Sequence, residues 1–115
     1  MMRVLLPLAA SLIAATPALA NFTCAFTTEC YEAENCQSTS FDLAVDLAAK
    51  SISTDFGDLT IVAVKETGAL TTLFATGDGA EYLLSATQNA ARLSSHANDG
   101  PLVITYLGRC DGAVK

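Results

Sequence analysis

From Phe41 the chain reads Phe41-Asp42-Leu43-Ala44-Val45-Asp46-Leu47, with apolar side chains on every odd position and Asp on two of the even ones. That alternation marks a strand with one face in a core and the other in water. A helix would gather Asp42 and Asp46 on one stripe and scatter the apolar residues around its cylinder. Strand character, with Val, Ile and Thr in frequent use, recurs over 22–26, 59–65, 70–75, 81–86, 91–95 and 102–107. The pattern therefore predicts about seven strands. Within the Ala-rich stretch 80–93, residues 88–93 also allow a helical turn or two.

The separators carry turn chemistry: Asp55-Phe56-Gly57-Asp58, Glu66-Thr67-Gly68, Gly77-Asp78-Gly79 and Asn98-Asp99-Gly100-Pro101. Gly supplies positive φ there, and Asp or Asn caps the backbone. A spacing of roughly ten to fifteen residues is the rhythm of connected antiparallel strands. The expectation is an all-β fold, a small antiparallel β-sandwich or barrel.

The first twenty residues do not fit this pattern. Met1-Met2-Arg3 is a short positive start, 4–15 is almost wholly apolar, and Ala18-Leu19-Ala20 places small residues where a signal peptidase reads. The apolar run contains Pro7 and is shorter than the roughly twenty residues a bilayer-spanning helix needs. The sequence thus predicts a signal peptide over 1–20, cleavage after Ala20, no membrane anchor thereafter, and a single domain over 21–115. A lipid anchor would need Cys as the first mature residue, but that residue is Asn21.

Export changes the meaning of the four cysteines, Cys24, Cys30, Cys36 and Cys110. In an oxidising periplasmic or extracellular compartment an even set of thiols pairs, and two disulfides are expected. The spacing lacks the close C-x2-C pair of zinc ribbons, and the one histidine, His96, is distant in sequence, so no metal site is expected. A redox-active C-x-x-C is absent as well. Cys30 with Cys36 and Cys24 with Cys110 is the preferred connectivity, because 31–35 is a short polar segment that can turn back on itself. The crossed alternative, Cys30 with Cys110 and Cys24 with Cys36, stays open at this point. A Cys24–Cys110 bridge would close nearly the whole domain, and loop entropy gives it at most about 4.6 kcal/mol.

Composition bounds the partners. With 115 residues and a formal net charge of -6, the chain is one small acidic domain. A nucleic-acid phosphate backbone would be repelled, so no nucleic-acid partner is expected, and a basic protein surface is favoured.

Candidate chemistry is sparse. His96 is the one histidine, the residue type that most often serves as a general base, with Ser94 and Ser95 beside it and Asp99 or Asp111 as orienting acids. No nucleophile-elbow motif such as G-x-S-x-G accompanies them. The cluster Glu29, Glu32 and Glu34 lacks a calcium-loop pattern and reads as a solvated acidic face. Gly77-Asp78-Gly79 lacks the further glycine, the Lys and the helix of a phosphate loop and reads as a hairpin turn. The expectation is a domain without enzymatic activity or cofactor, a binding or structural protein of the cell envelope.

Two resemblances add to this. Glu29-Cys30-Tyr31-Glu32-Ala33-Glu34-Asn35-Cys36, together with the run from His96 through Gly100-Pro101 to Cys110, resembles a group of small exported alphaproteobacterial proteins with four cysteines and no assigned activity. That resemblance spans the mature chain and implies export and disulfides. Thr76-Gly77-Asp78-Gly79-Ala80-Glu81-Tyr82 also resembles the S-G-S-G-[AV]-[RK]-Y loop of periplasmic inhibitors of C-type lysozyme, small disulfide-bearing β-barrels. Both glycines, Ala80 and Tyr82 match. Asp78 replaces the second serine and Glu81 the basic residue. This implies an alternative function, lysozyme inhibition through the 76–82 hairpin, with Asp78, Glu81 and Tyr82 as partner-binding residues.

Overall fold

The computed structural model describes residues 21–112. The leader expected over 1–20 lies outside the described residues. Eight strands follow one another: β1 (Asn21–Tyr31), β2 (Gln37–Asp46), β3 (Ser51–Thr54), β4 (Gly57–Thr67), β5 (Leu70–Gly77), β6 (Ala80–Ala86), β7 (Ala91–Ala97) and β8 (Val103–Gly112). Each pairs antiparallel with the next, and β8 pairs with β1, which closes an up-and-down barrel. Closure decides between sandwich and barrel and leaves the first and last strands no free outer edge.

The count is eight rather than about seven because β3 escapes the pattern. Ser51-Ile52-Ser53-Thr54 offers a single apolar residue, Ile52, which is buried in the core. The stretch 80–93 forms β6, a turn and β7 instead of helix. Ala86 and Ala91 sit opposite each other on the inner face, both buried.

Alternation fills the interior. Leu73, Leu84, Leu93 and Tyr106 are successive cross-strand partners and form one buried row. Fully burying each leucine contributes about 1.5 to 3 kcal/mol of transfer free energy. In a second row Phe26 faces Gly108, which is followed by Ala91 and Ala86. One large ring thus meets three small residues, which is how a small barrel packs without voids. A Cβ on Gly108 would run into the Ala25 carbonyl oxygen and come within 2.6 Å of Phe26 Cα.

Both disulfides adopt the preferred connectivity. Cys24 and Cys110 are directly opposed across β1 and β8, both buried, with Cα atoms 3.9 Å apart. Cys30 and Cys36 clamp the base of the 32–35 loop between β1 and β2. Among the described residues no cysteine is free. Two disulfides point to an oxidising compartment outside the cytoplasm. Among the described residues no helix is long and apolar enough to cross a membrane.

Two irregularities shape one end of the barrel. Between Phe26 and Thr28 the register of β1 slips, so that Phe22, Cys24 and Phe26 face inward before the bulge and Glu29 and Tyr31 after it. In addition β3 covers only residues 43–46 of β2, and Gln37, Ser38, Phe41 and Asp42 are paired on the β1 side alone. The wall is therefore notched beside the upper half of β2.

Candidate functional site

Strand direction alternates, so the turns after β1, β3, β5 and β7 gather at one end of the barrel. Each of these turns carries a carboxylate: Glu32 and Glu34, Asp55, Asp78, and Asp99. None carries Lys or Arg. The described cations, Lys50, Lys65, Arg92 and Arg109, lie in the 47–50 turn or on strand ends toward the opposite end, where they mix with Asp46, Glu66 and Asp111. The formal charge of the described residues is thus segregated along the barrel axis.

Asp78, Glu81 and Tyr82 take three different positions around the 76–82 hairpin. Asp78 and Gly79, with φ of 51° and 74°, make a two-residue turn that joins the paired Gly77 and Ala80. Positive φ at both central positions is the geometry of the tight type I′ hairpin, so only Asp78 stands at the tip. Glu81 lies on the outer wall, where it accepts hydrogen bonds from Thr76 Oγ1 at 3.0 Å and from Asn98 Nδ2 at 3.5 Å. Tyr82 packs half-buried against the core. Burial raises its pKa, with the hydrogen bond from Ser95 acting the other way and Asp78 adding to the rise.

Glu32 is structural as well as acidic. Its Oε1 accepts from Val103 N–H at 3.0 Å, and its own N–H donates to the Val103 carbonyl, which fastens the seam between β1 and β8 at the rim. Glu29 accepts from Gln37 Nε2 at 2.8 Å. Since Glu29 is the cross-strand partner of Tyr106, and Tyr31 that of Ile104, both project toward the mouth of the barrel and not onto a solvated outer face.

At this mouth the aromatic residues converge. Phe41 meets Tyr106 with ring centroids 4.9 Å apart, Phe56 at 5.9 Å and Phe26 at 6.2 Å. Burial, followed by the nearby Tyr31, Glu29 and Tyr82, pushes the Tyr106 hydroxyl up to about 12. A cleft of about 180 Å³ opens through the notch, walled by Tyr31, Phe41, Phe56 and Tyr106 and flanked by Glu29, Asp42 and Asp55. Phe56 is 69% exposed, an unusual position for a large ring in a tight turn. Thr54 Oγ1 holds it there by accepting from Phe56 N–H at 3.1 Å and donating to the Gly57 carbonyl at 2.8 Å.

A larger trough, of about 470 Å³, runs down the outer wall over Thr23, Ala25, Ala44 and Ser53. It is open and floored by small side chains, with Asp42, Asp55 and Asp111 along it, whereas the smaller cleft brings four rings together with its carboxylates. The cleft is the more specific candidate.

His96 is exposed on the outer wall opposite Glu81, with Ser94 two residues away on the same face and Ser95 on the inner one. No hydrogen bond joins His96 to Ser94 or Glu81 among the described residues. Asp99 sits in the next turn, and Asp111 lies at the far end of β8. Among the described residues no group of His, Cys, Asp and Glu is arranged to hold a metal ion. No protein-family model matches the chain, and neither a curated protein nor a solved structure matches it.

Proposed function

We propose that this is a non-enzymatic binding domain of the cell envelope, periplasmic or secreted, whose acidic end docks onto a basic protein surface. The segregation of charge carries this reading. Four turns bearing carboxylates surround one mouth, while every described Lys and Arg lies away from it, so a cationic surface is steered to that end. The disulfides suit an oxidising compartment.

Retention on an oligolysine-coated sensor tests the reading. A rim variant combining Glu34→Gln, Asp78→Asn and Asp99→Asn should lose retention at moderate salt, while Asp111→Asn at the opposite end should keep it. Equal losses in the two proteins, or no retention at all, would sink the proposal. Salt must be varied, because exposed charges are screened beyond about 8 to 10 Å at physiological ionic strength.

A second reading is inhibition of C-type lysozyme, a cationic enzyme, through the 76–82 hairpin. The position of Asp78 at a hairpin tip on the acidic end favours it. Inhibition that persists in added salt and vanishes in Asp78→Ala would select this reading over general docking. Inhibition confined to low salt would reject it.

A further inference from the structure

We propose that the aromatic cleft at the mouth, between Phe41, Phe56, Tyr106 and Tyr31, is a binding site for an alkylammonium group. This goes beyond the docking of a basic protein, since a free small cation could occupy the cleft with no protein partner present.

The argument starts from what the walls offer. Aromatic faces carry negative potential and attract a cation placed within about 6 Å of the ring centroid, most of all where water is partly excluded. Four rings border a space of about 180 Å³, and Glu29 and Asp55 stand at its edge. That volume is well below the roughly 300 to 1,000 Å³ of ordinary small-molecule pockets, so the occupant is a single compact group and not a drug-sized ligand. Uncharged apolar ligands would gain the rings but leave the carboxylates unused. Inorganic cations would meet rings where they need oxygen ligands, and the described residues hold no metal-type cluster. An ammonium bearing carbon substituents satisfies both kinds of wall.

The arrangement is built, not incidental. The bulge after Phe26 turns Glu29 and Tyr31 into the mouth, the short β3 opens the wall beside Phe41, and the Thr54 clasp holds Phe56 at the opening. A ring that is 69% exposed contributes little to the core. Its placement against Phe41 extends the aromatic wall outward.

The chemistry could come from a free quaternary ammonium compound or from a lysine side chain, and the experiment separates them. Ring proton signals of the tyrosines and phenylalanines are followed by NMR during titration with choline, with a lysine blocked at both backbone ends, and with the uncharged choline analogue in which a tert-butyl group replaces trimethylammonium. Saturable shifts of the Phe41, Phe56 and Tyr106 signals with choline, the blocked lysine or both support the site, and the tighter of the two identifies the source. The uncharged analogue should bind about fivefold or more weakly, and Phe56→Ala should weaken the cation by a similar factor. Asp111→Asn, at the opposite end of the barrel, should bind the cation as the parent does. Equal affinity for the uncharged analogue, an unaffected Phe56→Ala, or no saturable shift with either cation would overturn the proposal. None of these results depends on whether the rim docks a protein, so the two readings fail separately.

Discussion

Cys24 of β1 lies directly opposite Cys110 of β8, and the disulfide between them joins the first and last strands at the seam where the barrel closes. The two residues are 86 positions apart in sequence, yet their side chains share the core with Leu43, the partner of Cys24 on its other side.

This pairing sets the relative value of the two staples. Replacing Cys24 and Cys110 together by Ala should lower stability by about 4 kcal/mol, whereas the same change at Cys30 and Cys36, separated by only 6 positions, should cost about 2 kcal/mol. Urea denaturation of the two double variants checks the order. A larger loss from the short bridge would show that it does more than close its loop.

Gly108 tests the packing of the seam. Gly108→Ala drives a methyl group into the backbone of β1 at Ala25 and Phe26, which cannot swing aside as a side-chain tip would. A loss of about 3 kcal/mol is expected. Gly100→Ala, where the added Cβ meets nothing within 4 Å, should stay within about 0.5 kcal/mol of the parent. Thermal unfolding of both variants makes the comparison.

The raised pKa of Tyr106 gives the stability a defined alkaline limb. Below the ordinary tyrosine value of about 10 the hydroxyl is protonated in both states and the full stability is present. As pH climbs toward about 12, the unfolded chain ionises while the folded one holds its proton, so stability falls through that window. Tyr82, raised in the same direction, adds to the fall. Denaturant midpoints measured across alkaline pH should decline less steeply in Tyr106→Phe. Tyrosinate absorbance should show the Tyr106 and Tyr82 hydroxyls of the folded parent titrating late.

Much of the fold was readable from alternation. Phe41-Asp42-Leu43-Ala44-Val45 became the wall of β2 as expected, and Asp78-Gly79 became a tight hairpin turn, because period-two patterning and positive φ act locally. β3 was missed because four residues with one buried side chain fall below what such a pattern can register. The mouth was missed for a different reason. Reading Glu29, Glu32 and Glu34 as one solvated face treats the segment as unbroken, whereas the bulge after Phe26 reverses which residues point inward. The two adjacent threonines, Thr27 and Thr28, interrupt the apolar alternation at that point and were the available signal. Convergence of Phe41, Phe56 and Tyr106 depends on ring closure across the barrel, which no local pattern encodes.

The covalent seam also changes what it means to cut this chain. With β8 laddered to β1 and Cys24 bonded to Cys110, the domain is a ring in which covalent continuity is present twice. A protease nick in the exposed 98–101 turn would leave β8 tethered to β1 by sulfur and hydrogen-bonded on both flanks, so both fragments would remain in one molecule until a reductant arrived. Cleavage of the backbone and dismantling of the barrel are thereby separate events, the second gated by redox chemistry.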